Sequence, residues 1–171
     1  MKKCPKCGLN WIKDNEESCA ICMQDESSKA KIPTHAELNS AIVKTKLLEG
    51  KSYIANTHAE FLNTVFETNY IQWMQAGWHY SPNVLVWMVR FYGDDGNWKN
   101  RFLDPNTICE RYIGTTNLHN GHLIGDPAEL YRIVVSISEQ KSNRIYTIKG
   151  LYKYVKEQSS PHKHIYIKVT E

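Results

Sequence analysis

The chain has 171 residues, of which 42% are hydrophobic and 23% are charged, and its formal net charge is +3. This length fits one medium domain and a small module, and only the larger part can bury a sizeable core. The chain has no apolar run of about 18 residues, and no apolar segment follows its first lysines. We therefore expect neither a membrane span nor a signal peptide.

The charge is unevenly distributed along the chain. Residues 32–140 carry eight basic and eleven acidic side chains, a net of −3, whereas residues 141–171 carry seven basic and two acidic ones, a net of +5. A basic C-terminal segment on a weakly acidic body is typical of a surface that faces phosphate groups. An ordinary solvated hairpin has the same composition, so both interpretations stay open at this stage.

Four of the five cysteines lie in the first 22 residues, as two Cys-x-x-Cys pairs separated by 11 residues. This spacing suits one tetrahedral structural Zn²⁺ site, and two disulfides or a redox pair are the alternatives. The stretch resembles the N-terminal zinc ribbons of bacterial, archaeal and phage proteins that handle nucleic acids. We expect a closed site of this kind to stabilise a module over residues 1–25. Cysteines that serve as metal ligands also indicate a reducing, cytoplasmic location. The module is expected to dock on a protein partner. The predicted zinc ligands are Cys4, Cys7, Cys19 and Cys22.

A polar linker over residues 26–33 is expected to lead into a single domain over residues 34–171. Two segments of this domain begin with the same signal, Thr-His-Ala-Glu, in which Thr34 with Glu37 and Thr57 with Glu60 fit capping boxes. Apolar residues with helical spacing follow each box, and Gly50 suits the end of the first helix. The sequence therefore predicts two helices at the start of the domain.

The rest of the domain reads mainly as strands. Residues 84–92 are apolar on both faces and predict a central strand, followed by a turn over 93–96 and a returning partner over 97–103. Asp104 and Pro105 predict a short helix reaching Tyr112, and residues 113–129 predict a long functional loop. Further strands are predicted over 130–138, 144–155 and 164–169. The expected class is α+β, with a mostly antiparallel sheet of about five strands.

One part of this sheet carries a resemblance to a known family. Gly150-Leu151-Tyr152, followed by the strand over residues 165–169, resembles the YDGLY strand and its partner in SRA domains. Lys149 stands where that family usually has Asp, and its longer glycine-rich signature is absent. SRA domains are PUA-like β-barrels that bind modified DNA and flip the modified base into a pocket. The resemblance implies a PUA-like sheet or barrel, DNA as the partner, and by analogy a restriction, phage-defence or counter-defence setting in a prokaryote or phage.

Aromatic and basic side chains predict a nucleic-acid-binding surface, because bases stack on aromatic rings and phosphates pair with cations. Trp98 combines an aromatic ring with two neighbouring cations beside the predicted turn. We expect Trp73 and Trp87 in the core, and the sequence leaves Trp78 and Tyr80 open. The predicted nucleic-acid-binding residues are Trp98, Lys99, Arg101, Lys141, Arg144, Lys149, Tyr152, Lys153 and Lys163.

The first hypothesis is a DNA- or RNA-binding protein without catalytic activity. Two other hypotheses stay open. Glu139 and Lys141, with Asp126 or Glu129 upstream, resemble the acid…ExK site of PD-(D/E)xK nucleases, in which the acids hold Mg²⁺ and the lysine helps to activate water. The same residues also fit a polar hairpin turn. The third hypothesis is a protein-binding adaptor that docks through the zinc ribbon and the aromatic surface. Cys109 is expected to be a buried structural thiol.

Overall fold

The computed structural model describes residues 1–5, 8, 10–19, 32–71, 77–92, 96–114, 118–119, 122–123 and 125–170, with the backbone alone at 118–119 and 122–123. At the N-terminus, β1 (Lys2–Lys3) pairs with β2 (Trp11–Ile12) in antiparallel orientation. Most of the predicted linker and two of the predicted zinc ligands lie outside the described residues. The division into a module over 1–25, a linker and a domain over 34–171 therefore stays a prediction.

Both predicted helices are present. Helix α1 (His35–Leu48) begins at Thr34, whose hydroxyl accepts a hydrogen bond from the Glu37 N–H at 3.2 Å, while the Glu37 carboxylate accepts from the Thr34 N–H at 2.7 Å. Helix α2 (His58–Phe66) begins at Thr57 with a similar bond to its side chain. These bonds satisfy backbone N–H groups that the first turn of a helix leaves without a partner. No helix in the described part of the chain combines the length and hydropathy needed to cross a bilayer.

Eight strands of the described residues form one sheet. They are β3 (Ser52–Ala55), β4 (Gly77–Ser81), β5 (Val84–Val89), β6 (Trp98–Asp104), β7 (Thr107–Tyr112), β10 (Tyr131–Gln140), β11 (Asn143–Tyr154) and β12 (Lys163–Lys168). A separate small hairpin contains β8 (Leu118–His119) and β9 (His122–Leu123), and a 3-10 turn (Lys156–Gln158) precedes β12.

The strand order is β4–β5–β10–β11–β12–β7–β6, and β3 also pairs with β11. Strands β5 and β10 run parallel, and the other pairs in this sheet are antiparallel. The protein is therefore a mixed α+β fold with two helices among the described residues and a mostly antiparallel sheet. This architecture is consistent with a PUA-like fold, although the sheet has more strands than the sequence predicted.

The sheet curls until its β6 edge meets the chain that leaves β5. The backbone N–H of Tyr92 donates to the carbonyl of Asn100 on β6 at 3.0 Å, and the rings of Phe91 and Phe102 lie 4.3 Å apart. Strands β5, β10, β11, β12, β7 and β6 therefore enclose an interior. Closure of this kind protects the outer strand of a sheet, whose backbone groups would otherwise lack partners.

Two apolar cores lie on opposite faces of this sheet. The first packs α1 and α2 against β5, β10 and β11, and its buried members include Phe61, Leu62 and Tyr146. The second lies inside the curled part and is rich in aromatic residues, among them Trp87 and Tyr166. Strands that are apolar on both faces are expected in this position, because each face is covered by a different core. The prediction that Trp87 lies in the core is confirmed.

Gly150 is the point at which β11 changes its partner. The first half of β11 pairs with β3 and its last residues pair with β12, and the ladder with β10 shifts register opposite Gly150, between Val134 and Val135. The φ angle of Gly150 is +126°, a backbone conformation that L side chains rarely adopt. The glycine of the Gly-Leu-Tyr stretch therefore allows the bend that separates the helix-covered half of the sheet from the curled half.

Replacing Gly150 with alanine is expected to destabilise the protein by about 1–3 kcal/mol, the cost typical of a residue held in a sparsely populated backbone region. An added Cβ would also lie 2.9 Å from the Lys168 side chain, which is paired with Glu49. Thermal denaturation measures the effect. Gly125→Ala is the matched control, since it has no left-handed φ and no atom within 4 Å of the added Cβ. Equal melting temperatures for the two variants would contradict the prediction.

The helix predicted between Asp104 and Tyr112 is wrong, because this segment is strand β7. The Asp104 side chain accepts a hydrogen bond from the Asn106 N–H at 2.8 Å, so it closes a tight turn between β6 and β7 instead of capping a helix. Beyond the turn, residues 107–111 pair in register with β12 as an antiparallel strand, and Ile108, Cys109 and Glu110 are all buried.

The partner predicted for the central strand is also wrong. Residues 98–104 form β6, but β6 pairs with β7, and β5 lies between β4 and β10. The predicted turn at residues 93–96 lies mostly outside the described residues. The apolar residues on both faces of 84–92 correctly indicated a central strand, observed over Val84–Val89. A central strand has partners on both sides, and its sequence does not say which ones.

Candidate functional site

Three polar side chains form a row across the inside of the curled sheet. Asn100 on β6 is the register partner of Glu110 on β7, and Glu110 is in turn the register partner of His164 on β12. Their exposed fractions are 6%, 8% and 4%, so all three are buried. We call Asn100, Glu110, His164 and the neighbouring Arg132 the interior polar cluster. Buried groups of this kind are costly unless they have partners, so each must be accounted for.

Arg132 projects from β10 into this row. Its guanidinium lies 4.7 Å from the ring centres of both Trp87 and Tyr166, and its Nη1 donates to Glu110 Oε2 at 3.4 Å. Cations that face aromatic rings are stabilised by the electrons of the ring, most strongly where water is excluded. The two rings and the carboxylate thus compensate for the burial of this charge.

Both ring nitrogens of His164 face acceptors. Nδ1 lies 3.1 Å from Glu110 Oε1, and Nε2 lies 2.6 Å from the carbonyl oxygen of Gly125. A ring that carries both protons donates to both acceptors at once, whereas a ring with one proton satisfies one of them. The second contact ties the loop before β10 to the interior polar cluster.

For Glu110 and Arg132, burial and the neighbouring charges shift the pKa in opposite directions. Burial alone would raise the pKa of Glu110, but the charge of Arg132 and the contact with His164 hold it below its ordinary value. For Arg132 burial acts to lower the pKa, and nearby Tyr166, Glu110 and Glu129 nevertheless raise it. Burial raises the pKa of the Tyr166 hydroxyl well above its ordinary value. Near neutral pH the cluster therefore contains an arginine cation, a carboxylate and a neutral tyrosine.

Three buried polar atoms in this region have no hydrogen-bond partner among the described residues. They are Asn100 Oδ1, Arg132 Nε and the Tyr166 hydroxyl. Unsatisfied buried atoms are rare in folded proteins and each costs about 1–3 kcal/mol. Together they offer an acceptor, a donor and a hydroxyl that can do either, which is the set of groups that a planar polar ligand needs.

Two residues before Asn100 on β6, the interior is lined by aromatic side chains. Trp98 pairs in register with Tyr112, whose backbone N–H donates to the carbonyl of His162 at 2.8 Å. The Trp98 and Tyr112 rings lie 5.0 Å apart, and Trp98 and His162 are partly exposed. Trp98 also lies 5.9 Å from the His164 ring. The predicted base-stacking residue Trp98 therefore borders the interior polar cluster.

The loop before β10 is attached by side chains at its C-terminal end. The Tyr154 hydroxyl donates to Asp126 Oδ1 at 2.8 Å, and Lys156 lies 3.4 Å from Asp126 Oδ2. His79 on β4 lies 2.5 Å from Glu129, which is buried. Two of the predicted catalytic acids thus hold this loop in place. The histidine side chains at 119 and 122 lie outside the described ones.

The structure does not bring the predicted nuclease residues together. Glu139 lies at the other end of β10, where it pairs with Arg90 at 2.6 Å and with Arg144 at 3.8 Å, and Lys141 is exposed in the hairpin turn that follows. A strand rises about 3.3 Å per residue, so Glu139 is roughly 25–30 Å from the start of β10, and Asp126 and Glu129 precede that start. Within the described residues, no group of three or more His, Cys, Asp or Glu side chains is arranged to hold a metal ion.

The predicted binding residues do not form one continuous surface. Lys99 and Arg101 lie on the outer face of β6, with Lys163 near them on β12. Lys141 and Arg144 lie at the β10–β11 turn, far along the same ladder. Lys149 and Lys153 on β11 lie over the rings of Phe102 and Tyr131, respectively. A strand places successive side chains on opposite faces, so basic residues that are close in sequence were separated in space.

The role of Tyr152, predicted as an alternative to Trp98 for contacting a base, stays a prediction, and its ring is buried among the residues of the barrel interior. Tyr152 is 1% exposed, its hydroxyl donates to the carbonyl of Pro105 at 3.3 Å, and burial raises its pKa to about 12. It faces the inner core because Gly150 rotates the end of β11 inwards. Trp78 and Tyr80, which the sequence left open, pack beside Phe66 against the helix-covered core. Trp73 lies outside the described residues.

Sequence reasoning missed the interior polar cluster. Glu110 and Asn100 lie in segments predicted as a helix and as a partner of β5, so their common face could not be seen. The available signal was the alternation in residues 107–112, which places a carboxylate between two buried apolar side chains. A charged residue at a core position of a strand indicates a buried partner of opposite charge.

The part of the predicted zinc site within the described residues fits a metal centre. The Cys4 and Cys19 side chains are buried, Cys4 Sγ accepts from the Cys19 N–H at 3.4 Å, and Cys19 Sγ accepts from Asn10 Nδ2 at 3.4 Å. Metal-bound thiolates typically accept such hydrogen bonds from the surrounding chain. Cys7 and Cys22, the other predicted ligands, lie outside the described residues. The zinc site therefore stays a prediction.

Comparison with known proteins finds similarity to a solved structure. No protein-family model matches the chain, and no curated protein matches it. A solved structure of similar fold is the 5-hydroxymethylcytosine-specific restriction enzyme AbaSI, with a TM-score of 0.51 and 20% sequence identity. The match covers 88% of this chain and 50% of AbaSI, so the chain spans about half the length of that enzyme. At this level of identity, the likeness shows a shared fold.

Proposed function

We propose that this protein binds DNA and reads a modified base with the interior polar cluster, in a restriction, phage-defence or counter-defence setting. The observation that carries the proposal is the set of unsatisfied buried atoms on Asn100, Arg132 and Tyr166. The fold shared with a 5-hydroxymethylcytosine-specific restriction enzyme supports the choice of ligand. The resemblance of Gly150-Leu151-Tyr152 to SRA domains also supports a modified base as the ligand.

The chemistry of the cluster suits a cytosine derivative. Cytosine presents an exocyclic amine that donates and ring atoms that accept, and the interior offers the Asn100 oxygen as acceptor and the Arg132 Nε as donor. Enzymes that act on a base of a duplex take it out of the stack, hydrogen-bond its polar edge and stack it between aromatic or apolar side chains, and we propose the same mode of contact here. Trp98, at the partly exposed end of the interior, provides such a ring.

The proposal is for binding without cleavage. The candidate acids Asp126 and Glu129 are engaged in holding a loop, and Glu139 is engaged by two arginines at the opposite end of β10. Cutting activity is therefore assigned to no residue of the described chain.

Asn100→Ala is expected to weaken binding to the preferred duplex by about 5- to 150-fold, corresponding to the roughly 1–3 kcal/mol of one base-specific contact. Fluorescence anisotropy with matched duplexes containing cytosine, 5-methylcytosine or 5-hydroxymethylcytosine measures it. Because the variant removes a buried amide, of which only the oxygen lacks a described partner, thermal denaturation should first show that the variant is folded under the binding conditions. Asn97→Ala, the same change at an exposed position, is the control. Equal affinities for the three duplexes, or an Asn100→Ala protein that binds like the parent, would contradict the proposal.

A further inference from the structure

The outer face of the barrel wall carries a row of cations behind the interior polar cluster. Lys99 on β6 is the register partner of Arg111 on β7, and Arg111 is the register partner of Lys163 on β12. Arg101 lies two residues along β6 on the same face. Side chains alternate along a strand, so the residues next to Asn100, Glu110 and His164 in sequence must point away from the interior.

Three of these cations, on β6 and β7, line a surface pocket of about 260 Å³. Lys99, Arg101 and Arg111 supply its charge, the buried thiol-bearing residue Cys109 lies beside them, and Tyr92 forms part of its wall. Tyr92 is 73% exposed although its backbone helps to close the barrel. We call this the outer basic pocket. It combines concavity, positive charge and an exposed aromatic ring.

The charges of the outer basic pocket repel one another. Like charges that lie directly opposite on neighbouring strands destabilise a sheet, and Lys99 and Arg111 of the pocket are such a pair. Arg101 and Arg111 have no hydrogen bond or ion pair with a described residue, and both are exposed. An anion in the pocket would relieve the repulsion. Arginine donates through a planar fork that matches two oxygens of a phosphate, and a lysine adds a point charge.

We propose that the outer basic pocket binds a phosphodiester group of the DNA backbone, a role that rests on the function proposed above. The same strands then serve two purposes, with the base read on the inner face and the phosphate held on the outer face. A phosphate contact fixes the position of the DNA and is independent of sequence and of base modification. The outer basic pocket therefore determines the affinity for DNA, and the interior polar cluster determines the preference between modified and unmodified bases.

Arg101→Ala and Arg111→Ala are expected to weaken binding to modified and unmodified duplexes by the same factor. Each lost phosphate contact should reduce the slope of log K against log salt concentration by about 0.9. Lys51→Ala, which removes the same charge from an exposed position between α1 and β3, is the control and should leave the slope unchanged. A changed preference between duplexes, with an unchanged slope, would overturn the proposal.

A second measurement separates this proposal from the reading of bases. A short abasic oligodeoxynucleotide contains phosphates and no bases, and its binding can be followed by amide chemical shifts. We expect shifts centred on residues 98–101 and 109–113 that Arg101→Ala abolishes, even if the protein shows no preference among duplexes. Shifts elsewhere, or none, would overturn the phosphate assignment whether or not bases are read. A free mononucleotide that binds here as tightly as the abasic strand would identify a nucleotide site and would also overturn it.

Discussion

Replacing Glu110 with alanine is expected to reduce the free energy of unfolding by about 3–5 kcal/mol, as is typical when one partner of a buried charge pair is removed. Both Arg132 and His164 contact its carboxylate. Without it, the buried guanidinium and the buried imidazole would lose the carboxylate that contacts both of them. Urea denaturation monitored by tryptophan fluorescence measures the loss, and each kcal/mol shifts the melting temperature of a protein of this size by roughly 2–4 °C.

Two further variants test the cause. Glu157→Ala makes the same change at an exposed position and should stay within about 0.5 kcal/mol of the parent. Glu110→Leu combined with Arg132→Met replaces the pair with apolar side chains and should recover much of the loss, because buried ion pairs are often dispensable when both charges are removed. A Glu110→Ala protein as stable as the parent would show that the cluster is not needed to hold the barrel interior.

The Glu110 carboxylate makes the free energy of unfolding depend on pH, and the direction of this dependence follows from its pKa. Arg132 and His164 lower the folded-state pKa of Glu110 below its ordinary value of 4.5, although burial opposes the shift. A group with a lowered folded-state pKa contributes stability that is complete above its unfolded pKa and is lost as the pH falls through the folded one. The parent should therefore lose stability below about pH 4.5, and this part of the loss should be missing in Glu110→Ala.

Removing zinc from the N-terminal module is expected to unfold residues 1–25 and to leave the barrel folded. Apparent binding free energies of structural zinc in small modules are about 10–16 kcal/mol, more than the few apolar side chains of such a segment can replace. The buried sulfurs of Cys4 and Cys19 accept hydrogen bonds as metal-bound thiolates do. Native mass spectrometry should find one zinc per chain, and amide spectra with and without a chelator should differ only at the N-terminal residues.

A matched pair of variants locates the metal. Cys4→Ser should lose the zinc, whereas Cys109→Ser should keep it, because Cys109 lies in β7 between Ile108 and Glu110. A zinc-free chain with a folded N-terminus would contradict the prediction. A mass lower by two protons for each bridge would instead support the disulfide alternative that the cysteine spacing leaves open.

The parts of the fold that could be predicted from the sequence are those fixed by neighbouring residues. The box at Thr34 and Glu37 spans four residues, and its two hydrogen bonds are local, so the start of α1 could be identified without any tertiary information. The β10–β11 hairpin was predictable for the same reason, since its turn joins strands that are adjacent in sequence. In each case, the signal and the structure that it specifies lie within a few residues of each other.

The candidate site depended on partners that are distant in sequence. Asp104 and Pro105 suit a helix start and a tight turn equally well, and the pairing of β7 with β12 decides between them. His164 meets Glu110 across 54 positions, and the interior polar cluster exists only in the observed register. A shift of one residue would send Glu110 to the outer face and Arg111 into the core. Local propensity contains no information about that register, which is why the cluster could not be predicted.

The hairpin of β10 and β11 lies between the helix-covered core and the barrel core, and its side chains pack alternately into one or the other. Val135 and Tyr146 face the helices, whereas Val134 and Tyr154 face the barrel interior. Opening either core exposes one side of the same two strands, so neither half can unfold while the other keeps its native packing. The domain is therefore expected to behave as one cooperative unit, with its slowest-exchanging amides in this hairpin.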